Sequence, residues 1–86
     1  MNVRFDRKDD LAYVELSSAD SARQVALDDA TIIDYAAEGS VAGVEFISPS
    51  RGVNLAGVPR AAEIEREVRR LGLSIRTAPA GVTRPG

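Results

Sequence analysis

The sequence predicts an α+β fold: a four- to five-stranded antiparallel sheet with one C-terminal amphipathic helix. Three observations carry that expectation. Between Val25 and Ile47, two apolar β-patterns flank the short polar run Ala36-Ala37-Glu38-Gly39-Ser40, the signature of an antiparallel hairpin. Upstream, Val3-Arg4-Phe5 and Leu11 to Leu16 alternate with the period of strands. Downstream, Ala61, Ile64, Val68 and Leu71 recur at spacings of three and four, which gives a helix one apolar stripe.

Taken in order, Val3 to Phe5 forms the first strand, and Asp6-Arg7-Lys8-Asp9-Asp10 is a charged turn. The second strand, Leu11 to Leu16, sets Ala12, Val14 and Leu16 on one face and Leu11, Tyr13 and Glu15 on the other. Ser17 to Ala22 is a loop of small residues. Arg23 to Leu27 follows as a third strand with Val25 and Leu27 inward, and Asp28-Asp29 turns the chain into a fourth, Thr31 to Tyr35. The fifth runs from Val41 to Ile47, and Gly39 supplies a positive φ in the turn before it.

The hairpin register follows from its apolar residues. Ile32 opposite Val44 puts Ala30 opposite Phe46 and Asp34 opposite Ala42, while Ile33 meets Gly43, Thr31 meets Glu45 and Tyr35 meets Val41. The fourth strand is then apolar on both faces, through Ile32 and Ile33. A sheet with one wet face does not need that, so the second face should be covered by the helix or by another subunit.

Ser48-Pro49-Ser50 ends the fifth strand. Pro59 suits the first turn of a helix running to Leu71, with Gly72 as its C-cap. The polar side of that helix carries the pairs Glu65–Arg69, Glu63–Arg66 and Glu67–Arg70 at favourable spacings. Leu73 to Arg76 is a candidate sixth strand. Residues 1–77 make one small domain, and 78–86, rich in Pro, Gly and Ala, read as a flexible tail.

Composition bounds the function. A chain of 86 residues buries only about 60% of its unfolded surface on folding and is marginal unless stapled or assembled. It has no Cys and no His, which removes disulfides, thiolate metal sites and the commonest general base. Oligomerisation is the remaining staple, and a homodimer is expected. Met1 to Asp6 is strand-like rather than signal-like, and no apolar run spans a bilayer, so the expected location is cytoplasmic, away from membranes. Residues 1–50 hold four basic and ten acidic groups, net −6, whereas 51–86 hold seven Arg and three Glu, net +4. The asymmetry favours protein contacts over nucleic acid, for which the chain is too acidic and too poor in aromatics.

Candidate chemistry is thin. Asp6, Asp9, Asp10, Asp28 and Asp29 lack the alternating spacing and Gly of a calcium loop, and turn aspartates bonding backbone amides explain them. Glu15, Asp34 and Glu45 could serve acid–base work only as close neighbours, and the expected register sets Asp34 and Glu45 on opposite faces. The serines have no His to activate them, and Lys8 lies in a charged turn. Gly52, Gly57 and Gly72 form no phosphate loop. No catalytic residue, cofactor or metal site is therefore expected. The candidate partner-binding residues are Arg60, Arg66, Arg69 and Arg70 on the helix, with Ile33 and Tyr35 on the doubly apolar strand.

Several separated blocks also resemble a known family. Phe5-Asp6, Asp10-Leu11-Ala12-Tyr13-Val14-Glu15-Leu16, Val25-Ala26-Leu27-Asp28, Ile32-Ile33-Asp34-Tyr35, Gly39, Val41 and Gly43-Val44-Glu45-Phe46-Ile47 resemble, in order and spacing, the small bacterial family called domain of unknown function 2283. The resemblance covers roughly residues 3–51 and implies a compact β-rich domain followed by a helix. It brings no activity and no catalytic residues. Some members of such families lie beside small toxin-like proteins, so it suggests an antitoxin-like role. The leading expectation is a non-enzymatic interaction module that masks a small protein partner by its sheet edge or its Arg-rich helix. The alternative is a regulatory homodimer that sets strands or Arg-rich helices on nucleic acid phosphates.

Overall fold

Alternation in the first half of the chain resolves into one five-stranded antiparallel sheet. The computed structural model describes residues 1–77, so the expected tail at 78–86 lies outside the described residues. The strands are β1 (Asn2–Asp6), β2 (Leu11–Glu15), β3 (Arg23–Asp28), β4 (Thr31–Tyr35) and β5 (Val41–Ile47). They lie in the order β1-β2-β5-β4-β3, which leaves β1 and β3 as the two edges.

Pairing of β2 with β5 sets the inner face, because Val14 meets Val44 and Ala12 meets Phe46. All four are buried, and the partly buried Val3 and Phe5 of β1 extend the same face. The hairpin joins this face by a register that differs from the sequence expectation. Tyr35 does meet Val41, but a bulge then leaves Ala42 unpaired and Asp34 meets Gly43. Beyond it Ile33 meets Val44, Ile32 meets Glu45 and Thr31 meets Phe46. A contact from across the sheet holds the bulge: the backbone amides of Leu16 and Ser17, just past β2, both donate to the Ala42 carbonyl. Ile33 is consequently the inward residue and Ile32 the outward one, whereas the expected register set Ile32 rather than Ile33 opposite Val44.

The inner face is covered by the rest of the chain. After β5 a 3-10 turn, Pro49–Arg51, leads into the short β6 (Val53–Asn54), and the helix α1 (Ala61–Arg70) connects it to β7 (Ile75–Thr77). β6 and β7 pair in parallel, a two-stranded element absent from the sequence expectation, which placed one strand at Leu73 to Arg76. Ile64 and Val68 of α1 are fully buried against Val14, Val44, Phe46, Val53, Leu55, Val58 and Leu73, with Ala61 and Leu71 packed at the margin. The expected apolar stripe is thus the one that meets the sheet.

Both helix ends are determined locally. Arg60 lies in the left-handed region at φ 54°, so the helix begins at Ala61 rather than in the turn of Pro59. At the other end Gly72, at φ 85°, closes a Schellman motif: the Leu73 amide donates to the Val68 carbonyl and the Gly72 amide to that of Arg69. Leu73 and Val68 both belong to the core, which supplies the apolar contact that accompanies this motif. The connection is pinned to the sheet at two points. Ser50 donates through its amide and hydroxyl to the Asp10 carboxylate, and the Asn54 side-chain amide donates to Asp28.

Candidate functional site

With the helix and connection on one face, the other face of the sheet is open among the described residues. It presents Arg4 from β1, Leu11, Tyr13 and Glu15 from β2, Glu45 and Ile47 from β5, Ile32 and Asp34 from β4, and Gln24 from β3. A polar row crosses this face from edge to edge. The Arg4 guanidinium stands 5.8 Å from the centre of the Tyr13 ring. Tyr13 reaches over Gly43 and its hydroxyl donates to Asp34 Oδ2 at 2.9 Å. The Gln24 side-chain amide donates to Asp34 Oδ1 at 2.7 Å. Four of the five strands supply a member of this row, and β5 passes beneath it at Gly43.

Gly43 is what permits it. A Cβ there would sit 2.2 Å from the Tyr13 hydroxyl oxygen, so only glycine lets the phenol lie flat across β5. The Asp34 carboxylate is 5% exposed and has a donor on each oxygen. Burial raises the Tyr13 phenol to about 12, with the hydrogen bond to Asp34 and the charge of that carboxylate acting in the same direction. Tyr13 therefore stays protonated and serves as a donor that covers a buried carboxylate.

The register shift changes the carboxylate geometry. Asp34, Glu45 and Glu15 all lie on the outer face, which corrects the expectation that Asp34 and Glu45 are on opposite faces. Sharing a face does not make them a working pair. Asp34 is capped by Tyr13 and Gln24, while Glu45 borders a shallow hollow with Arg4, Asp6, Leu11 and Tyr13.

Turn aspartates act on the backbone. Asp6 Oδ1 accepts from the amides of Lys8 and Asp9, and Asp28 Oδ1 accepts from the Ala30 amide. That hydrogen bond, together with the one from the Asn54 side chain, holds the Asp28 carboxyl below the usual range. Among the described residues, no three acidic side chains gather in a metal-binding arrangement.

The candidate partner-binding residues separate. Ile33 is 2% exposed and already covered within the chain, so it offers no surface to a partner. Tyr35 is half-buried at the turn end of β4 with the Arg23 guanidinium 4.5 Å from its ring centre. Arg66, Arg69 and Arg70 are exposed on α1 and Arg60 just ahead of it, and three of the four are neutralised. Arg60 makes two hydrogen bonds to Glu63 at 2.9 Å, Arg69 pairs with Glu65 and Arg70 with Glu67. Glu63 thus pairs with Arg60 rather than with Arg66 as expected, because the left-handed Arg60 stands just ahead of the first turn.

The geometry defines a class: a small α+β protein whose helix seals one sheet face and whose other face carries a built polar row. The chain belongs to the family described as protein of unknown function (DUF2283), whose model matches residues 2–50. The match takes in all five strands of the sheet and stops before the helix. Searches of the curated proteins and of the solved structures found no match. No helix among the described residues is long and apolar enough to cross a membrane.

Proposed function

We propose that this protein is a non-enzymatic protein-interaction module that docks a small basic protein on the outer face of its sheet. One observation carries the reading. The face opposite the helix holds apolar Leu11, 37% exposed, with half-buried Ile32 and Ile47, where an ordinary wet sheet face would be polar throughout. Around them stand Asp6, Glu15 and Glu45 against a single base, Arg4, so the surface selects a cationic partner. The hydrogen-bonded row keeps that surface in one shape before contact. Binding there would mask a partner sterically, which is the action of an antitoxin-like protein.

A nucleic-acid reading has less support, because Arg60, Arg69 and Arg70 are each held by a glutamate. The test is co-purification of tagged chain from its host, run in parallel with a Leu11→Lys, Glu45→Lys variant. The expected result is a basic protein held by the wild type and released by the variant. Equal capture by both chains, or capture of nothing, would overturn the proposal.

A further inference from the structure

We propose that the free edge of β3 is a self-association surface, along which two copies of this chain join antiparallel into one continuous ten-stranded sheet. It uses a different surface from the outer face proposed above and does not depend on that reading. β3 pairs with β4 on one side, and on its other side Arg23 to Leu27 are all exposed. Val25 and Leu27, 37% and 41% exposed, are two of the four large apolar residues exposed among the described residues. Val25 meets Ile33 and lies on the inner face. Leu27 lies beside Gly57 of the connection, so both extend the core side of the sheet to its rim.

The strand is self-complementary in charge. Gln24-Val25-Ala26-Leu27 is uncharged, with Arg23 at one end and Asp28 at the other. Antiparallel pairing about a two-fold axis at Val25 sets Arg23 of each copy opposite Leu27 and one position from Asp28 of the other, whereas parallel pairing would bring like charges together. The bulge lies between Ala26 and Asp28, which leaves Arg23 to Ala26 as a regular edge. The opposite edge is built differently. β1 carries Arg4 at its centre, and pairing about that centre would oppose two guanidinium groups, a common guard on edge strands. One edge is protected and the other is not, and a domain of this size gains most from assembly.

Chemistry gives a direct test, because the chain has no cysteine. At the proposed axis two Val25 Cα atoms lie about 4.5–5.5 Å apart, within disulfide range. A Val25→Cys variant should form a covalent dimer on mild oxidation, and Arg4→Cys on the other edge should not. In sedimentation, the wild-type chain should run at twice the 9.2 kDa monomer mass. A Val25→Lys, Leu27→Lys variant, altered only at exposed positions, should run as monomer. A monomeric wild type, a dimer that survives the lysine pair, or cross-linking at Arg4→Cys in place of Val25→Cys would each overturn the proposal.

Discussion

On the inner face of the sheet Val14, Val44 and Phe46 are sealed beneath Ile64 and Val68, whereas on the outer face Arg4, Tyr13, Asp34 and Gln24 form a row with no layer above it. The inner face is held by area removed from water, a non-directional force that tolerates shape-conserving change. The outer face is held by directed hydrogen bonds around one buried carboxylate, where removal of a donor leaves a charged oxygen uncompensated. A sheet can therefore be stabilised by bulk on one side and specified by geometry on the other. The outer side stays free for contact because its order does not require a cover.

The contrast can be broken most severely from the inside. Ile64→Ala opens a cavity under the sheet and should cost about 2–5 kcal/mol, read as a lower denaturant midpoint with an unchanged slope. On the outer face, Gly43→Ala forces Tyr13 off β5 and should cost about 1–3 kcal/mol by overpacking. Its signature is loss of the Tyr13–Asp34 bond with the core intact, seen as changed tyrosine near-ultraviolet dichroism over unchanged far-ultraviolet signal. Tyr13→Phe keeps the ring and removes only the donor, so a loss of about 1.5–3 kcal/mol is expected, the scale of a hydrogen bond to a charged group. An unchanged midpoint in Tyr13→Phe would mean that the row contributes nothing to stability.

Alkali sharpens the same comparison. The folded Tyr13 phenol, raised to about 12, lies above the ordinary tyrosine value of 10.0. The unfolded chain thus loses this proton first. The stability that Tyr13 contributes is complete below pH 10 and is lost as pH rises through 12. Tyr13→Phe should lack that decline, and the difference between the two pH–stability curves measures it. The smallest effect belongs to the helix exterior: Glu65→Ala removes an exposed pair with Arg69 and should cost about 0.3–0.5 kcal/mol, diminishing with salt.

How much could be read without the structure depended on distance along the chain. β4 and β5 begin and end where alternation placed them, and the stripe Ala61, Ile64, Val68, Leu71 meets the core as its spacing required. The polar row was not legible, since it needs β2, β5, β4 and β3 side by side in that order. One signal pointed toward it: Gly43, a glycine inside an apolar strand, marks a close approach by some other group. Nothing local says that the group is Tyr13.

By itself, the sequence determined the five strands of the main sheet, the helix, its Gly72 cap and the Glu65–Arg69 pair. These depend on periods of two and 3.6 residues and on contacts within one turn. Only the tertiary structure decided the face of each residue in β4. A one-residue bulge at Ala42, stabilised by amides just past β2, exchanged Ile32 for Ile33 and put Asp34 beside Glu45's side of the sheet. Side chains alternate with a period of two, so one unpaired residue reverses every assignment beyond it. That residue is specified by a neighbouring strand twenty-five positions away, where no local pattern reaches.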